Sequence, residues 1–218
     1  MEQQVLLDQL SEFLMVEQGD LELYRVAAER CTLPALKQRY QEFGQQTARH
    51  REVYVQLIQA VGGDPDYVSP TARLAQVKAT KLLESAVIVD GLAPEELMTS
   101  DLENVLLAET KCHLDWELMS QLAKQVADAT LKQALEQAVQ EVEGQEDQHV
   151  EWARQTLRQL ALQRVQQGPA PSPERWLQVL SGPLPPIEAS HPAPVMTGLL
   201  PPAAEPAWGP SPIVRTAG

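Results

Sequence analysis

The chain is poor in cysteine, in positive charge and in long apolar runs, and each shortage excludes a class of function. Cys31 and Cys112 are the only cysteines and form no C-x-x-C. That removes a thiolate zinc site and a rubredoxin-type iron site. Seventeen Lys and Arg stand against 30 Asp and Glu, a formal net charge of −13. So acidic a surface lacks the basic footprint that nucleic acid or an anionic membrane requires. No apolar stretch approaches the roughly 18–20 residues that span a bilayer. The N-terminus, Met1-Glu2-Gln3-Gln4, has no basic region followed by an apolar run, so no signal peptide is expected. The expectation is a cytoplasmic protein. No haem or flavin signature is present, so substrate and electron donor are not named by any motif.

What is present is helix-forming. Up to about residue 166 the composition is rich in Leu, Ala, Gln, Glu and Arg. From Gly168 it changes to Pro169, Pro171, Pro173, Pro183, Pro185 and Pro186, with more beyond. This divides the chain into a helical domain over 1–167 and a Pro-rich tail over 168–218, expected to be extended and disordered. Within the tail, Glu174 to Leu180 could form a brief helix, and the mildly apolar end, Ser211 to Gly218, could dock on a partner protein. The plainer reading of the tail is a solubilising segment. In the domain, breaks at Thr32-Leu33-Pro34, Gly62-Gly63-Asp64-Pro65, Gly91 and Pro94, and an N-cap at Asp128, predict five helices. Their expected spans are 3–31, 33–61, 71–90, 95–126 and 128–166. Four long helices and one intervening helix suit an all-α, antiparallel four-helix bundle with one long crossover.

One motif carries chemistry. Glu146-Asp147-Gln148-His149 is an E-x-x-H inside a helical segment, and Thr47-Ala48-Arg49-His50 half-matches it. Residues three apart share a helix face, so Glu146 and His149 can present a carboxylate and an imidazole to one point. Each long helix also carries an apolar stripe interrupted by polar residues. The interruptions are Glu17 in the first helix, Thr47 and His50 in the second, Glu109 and His113 in the fourth, and Glu146 and His149 in the fifth. An unpaired carboxylate facing a core costs several kcal/mol, so such interruptions need a reason. Glu22 lies off the stripe and reads as solvated.

Depth tests the coincidence. Glu17 and Thr47 lie about 15 residues on either side of the turn near Thr32, and Glu109 and Glu146 about 18 on either side of the turn near Ala127. At about 1.5 Å per residue these depths are roughly 22 Å and 27 Å. With a long crossover the two turns lie at opposite ends, and the depths add to about the length of a helix of roughly 30 residues. All the interruptions therefore converge on one level.

On these residues the chain, over about 5–165, resembles the ferritin-like di-iron carboxylate superfamily of ferritins, bacterioferritins and rubrerythrins. Glu17 with Tyr24 seven residues on, Glu109 with Trp116 at the same spacing, and the E-x-x-H positions at Thr47/His50 and Glu146/His149 carry the resemblance. It implies a metal site of iron or manganese with Glu17, His50, Glu109, His113, Glu146 and His149 as ligands. Glu17 and Glu109 would be bridging candidates and His50 and His149 terminal ligands. Thr47 departs from the pattern, which expects a glutamate there. His113 compensates as a ligand or is a packed core histidine. The implied function is a redox metalloprotein acting on oxygen or peroxide. The alternative is a metal-degenerate ferritin-like module for assembly, or cargo of a protein shell addressed by its tail. A homodimer is expected on base rates alone.

Overall fold

The computed structural model describes residues 3–88 and 91–167, and every element among them is an α-helix. The tail over 168–218, with its expected short helix and docking peptide, lies outside the described residues. So do positions 89 and 90 of the expected third helix. The helices are α1 (Gln3–Arg30), α2 (Pro34–Ala60), α3 (Pro70–Ile88), α4 (Pro94–Gln125) and α5 (Ala129–Gln167). Each observed end falls within two residues of its expected position.

Local chemistry explains the boundaries. α2, α3 and α4 each open on proline, whose missing N–H is no loss in a first turn. The Ser69 hydroxyl accepts the Ala72 N–H at 3.0 Å ahead of α3, and Asp128 Oδ1 accepts the Leu131 N–H at 2.8 Å ahead of α5. Both satisfy amides that have no partner inside the helix. After α2 the chain turns at Gly62, whose φ of +78° suits glycine.

α1 packs against α2 and α4, and α5 against α4 and α2, so these four helices close a ring. α3 lies outside the ring over the seam between α1 and α4. Its direction follows from its partners. Ser69 bonds Ser11 near one end of α1, Ala79 meets Gly19 further along, and Ser85 bonds Asn104 near the start of α4. α3 therefore runs parallel to α1 and antiparallel to α4, carrying the chain from one end of the ring to the other. Gly19 makes this seam possible, because a Cβ there would come within 2.5 Å of the Ala79 Cβ.

The core has two apolar layers. One surrounds the α1–α2 turn with Leu33, Leu36, Tyr40, Leu102, Trp152 and Leu160. The other, at the opposite end, holds Leu6, Leu10, Phe13, Leu57, Met119 and Leu135. Between them lies a polar layer, in which Glu17, Thr47, His50, Glu109, Glu146 and His149 are each no more than 1% exposed. None of the described helices is long and apolar enough to cross a membrane.

Candidate metal centre

The polar layer draws one or two side chains from each helix of the ring. Glu17 comes from α1, Thr47 and His50 from α2, Glu109 from α4, and Glu146 and His149 from α5. The i,i+3 spacing of His50 from Thr47 and of His149 from Glu146 puts each pair on one face. Two sets can hold a metal ion: Glu17, His50 and Glu146, and Glu109, Glu146 and His149. In each set the donor atoms lie within 4.8 Å of one another, and Glu146 belongs to both, whereas Glu17 and Glu109, the expected bridging candidates, belong to one each. His50 Nδ1 is 2.6 Å from Glu146 Oε1 and 3.8 Å from Glu17 Oε2. His149 Nδ1 is 3.3 Å from Glu109 Oε2 and 4.0 Å from Glu146 Oε1.

These approaches are not hydrogen bonds. Glu17 Oε2, Thr47 Oγ1, His50 Nδ1, Glu109 Oε2, Glu146 Oε2 and His149 Nδ1 are all buried without a hydrogen-bond partner. Buried polar atoms normally have one. The other edge of each imidazole is held. His50 Nε2 lies 3.0 Å from Gln145 Oε1, and His149 Nε2 lies 2.6 Å from Gln46 Oε1. A carbonyl oxygen can only accept, so each Nε2 carries a proton, and in the neutral ring Nδ1 keeps its lone pair directed into the layer. Orienting a ligand imidazole through its far nitrogen is the usual support of a metal site.

The carboxylates are oriented in a similar way. Trp116 Nε1 donates to Glu17 Oε1 at 2.9 Å, leaving Oε2 free. The Tyr24 hydroxyl, buried beside Glu109, has no well-formed hydrogen bond. One turn beyond Glu17, Asp20 Oδ2 accepts the Cys112 thiol at 2.9 Å.

Crowding acids in a dry layer disfavours their charge. Burial, followed by the neighbouring Glu146 carboxylate, pushes Glu17 well above the usual carboxylate range. Burial and then Glu109 do the same to Glu146 and to Asp20. Burial holds His149 below the usual imidazole value, which favours its neutral, ligating form. A bound divalent cation would supply the counter-charge these groups lack. The donor set therefore fits a metal ion.

Of the six residues expected to be ligands, Glu17, His50, Glu109, Glu146 and His149 meet in the layer, and His113 does not. Its side chain is 30% exposed, with Nδ1 3.3 Å from Asp147 Oδ1 and Nε2 3.4 Å from Glu117 Oε1. It is neither a ligand in either set nor a packed core histidine. The cause is the rotation of α4. The expected stripe took His113, whereas the helix buries Val105, Cys112 and Met119 with Glu109 and Trp116. A step of three from Glu109 reaches the core, and a step of four reaches the rim. Glu22 is, as expected, away from the site, paired with Arg25 at 2.9 Å.

The sequence reading missed Gln46, Gln145, Asp20 and Cys112. A signal existed for each. Gln46 and Gln145 directly precede Thr47 and Glu146, and Asp20 and Cys112 each follow a glutamate of the layer by three residues. Compared with known proteins, the chain matches no family model, no curated protein and no solved structure.

Proposed function

We propose that the chain is a ferritin-like four-helix metalloprotein that binds iron or manganese at the polar layer and is redox-active toward oxygen or peroxide. One observation carries this reading. Carboxylate and imidazole atoms from four helices converge, buried and without hydrogen bonds, at one level of the core. Leaving so many polar atoms unpaired costs about 1–3 kcal/mol each in a protein with no ion there. Oxygen and imidazole donors without thiolate suit iron or manganese over structural zinc. Glu17 and His50 would serve one ion, Glu109 and His149 a second, and Glu146 both.

Bound iron or manganese would supply the one-electron chemistry that activates O–O bonds. The chain's own residues do the rest. Gln145 and Gln46 fix the two imidazoles in the ligating tautomer. Trp116 fixes the rotamer of Glu17. Asp20, pushed toward its protonated form, and the Cys112 thiol place protons beside the layer. The two apolar layers exclude bulk water from both sides.

The test is metal stoichiometry. Purified full-length chain loaded anaerobically with Fe²⁺ or Mn²⁺ is expected to retain two ions per chain by elemental analysis, and Glu146→Ala to retain none. A chain that retains no metal overturns the reading. Thr47 favours a second reading, a ferritin-like module that keeps the fold and has lost the metal. A melting temperature unmoved by Fe²⁺ or Mn²⁺ and unchanged in Glu17→Gln would establish it.

A further inference from the structure

The two halves of the layer are related by position. Gln46-Thr47-x-x-His50 and Gln145-Glu146-x-x-His149 have the same spacing, and each glutamine holds the histidine of the other half. This reciprocity sets Thr47 as the counterpart of Glu146. Glu146 belongs to both donor sets, so the equivalent shared position on α2 has a hydroxyl in place of a carboxylate.

Thr47 differs from three other helical threonines. Thr80, Thr99 and Thr110 return their hydroxyls to the carbonyl four residues back, at 2.8, 2.9 and 2.7 Å. This is the usual local bond for a hydroxyl on a helix. Thr47 Oγ1 makes no such bond, although the residue is 1% exposed and the oxygen has no other partner. A buried donor is thus held ready at the one shared position that lacks a negative charge.

Charge makes the same point. The two sets together contain three carboxylates, Glu17, Glu109 and Glu146, with two histidines. Against two divalent ions and neutral imidazoles, the donor sets alone leave one positive charge in a dry layer, which takes either an ionised Asp20 beside them or a bound anion to balance. An isolated buried charge is strongly disfavoured.

We propose that the α2 position equivalent to Glu146, where the Thr47 hydroxyl stands without a partner, binds a small carboxylate anion that takes the place of a second shared carboxylate. The inference rests on the metal-centre reading and names the ligand class of that same site. The Thr47 Oγ–H donates to the anion, whose two oxygens complete the donor set on the α2 side.

Full-length chain loaded with Co²⁺, whose visible bands report its donor set, is titrated with sodium formate against a chloride control of equal ionic strength. The wild-type chain is expected to show a saturable band shift with formate and none with chloride. Thr47→Glu, which supplies the carboxylate internally, should take up Co²⁺ and show no formate response. Thr47→Val, close in shape to the native residue, should bind formate about tenfold more weakly, as expected for one lost hydrogen bond to a charged group. Co²⁺ uptake with no formate response in the wild-type chain overturns the inference and leaves the metal centre standing. So does an equal response in Thr47→Glu or in Thr47→Val. Failure to take up Co²⁺ overturns the metal-centre reading, and this inference with it.

Discussion

The α1–α2 half of the polar layer and the α4–α5 half have the same parts in the same order and differ at a few positions. Glu17 corresponds to Glu109, Tyr24 to Trp116, Gln46 to Gln145, Thr47 to Glu146 and His50 to His149. The glutamine–histidine bonds are reciprocal between halves. The aromatic contacts are not. Trp116 donates to Glu17 at 2.9 Å, whereas the Tyr24 hydroxyl beside Glu109 has no well-formed bond. The difference teaches that the supports of the two imidazoles are retained on both sides, while the carboxylate count is allowed to fall on one.

Removing the residue that belongs to both halves breaks the comparison most completely. Glu146→Ala takes a donor from both sets, and the expected outcome is loss of all bound metal by elemental analysis. Next come the supports. Gln46→Leu and Gln145→Leu should each weaken metal binding by about 10–100-fold, measured by competition with a chelator, because each leaves the Nε2–H of the opposite histidine without its acceptor and the ring unoriented. If only one of the pair has an effect, the two halves are not equivalent and metal occupies one set.

The aromatic pair should separate on stability. Trp116→Phe leaves Glu17 Oε1 buried without its donor and should lower metal-free stability by about 1–3 kcal/mol in urea unfolding. Tyr24→Phe removes a hydroxyl with no well-formed bond and should be near neutral. Equal losses would mean that Tyr24 is anchored to Glu109 as firmly as Trp116 is to Glu17.

The smallest expected effect concerns pH. Burial raises Asp101 and Asp115 from an ordinary 3.8 to about 6, with Arg30 and Lys111 respectively opposing the shift. An acid whose folded value is raised binds its proton more tightly in the folded state than in the unfolded one. Its contribution to stability is present below about 4 and falls away as pH rises to about 6. Glu17, Glu146 and Asp20 are raised for the same physical reason, so they act in the same direction. The metal-free melting temperature is expected to decline as pH rises through this range. Metal affinity should change oppositely, rising with pH as the ligand carboxylates release protons. A melting temperature that climbs with pH in the metal-free chain would contradict this assignment.

Most of the helical framework was legible because its signals are local. Pro34, Pro70, Pro94, Gly62 and the Asp128 cap mark boundaries wherever they occur in a chain. The level of the site was legible too, because helix rise is fixed and the distances from the turns could be compared. The rotation of α4 was not. Steps of three and four from Glu109 fit an apolar stripe about equally well, and the sequence alone does not choose between Cys112 and His113. Packing chose, by burying Val105, Cys112 and Met119 where α4 meets its neighbours.

The sequence by itself determined the five helices, the order in which they occur and the placing of Glu17, His50, Glu109, Glu146 and His149 on core-facing stripes. Helix geometry is periodic, and those facts need only the period. Tertiary structure decided which nitrogen of each histidine faces the layer, that Glu146 belongs to both donor sets, that His113 stays at the rim and that the Thr47 hydroxyl is left without a partner. Each of these depends on how separate helices pack against one another, where periodicity sets the face but not the neighbour.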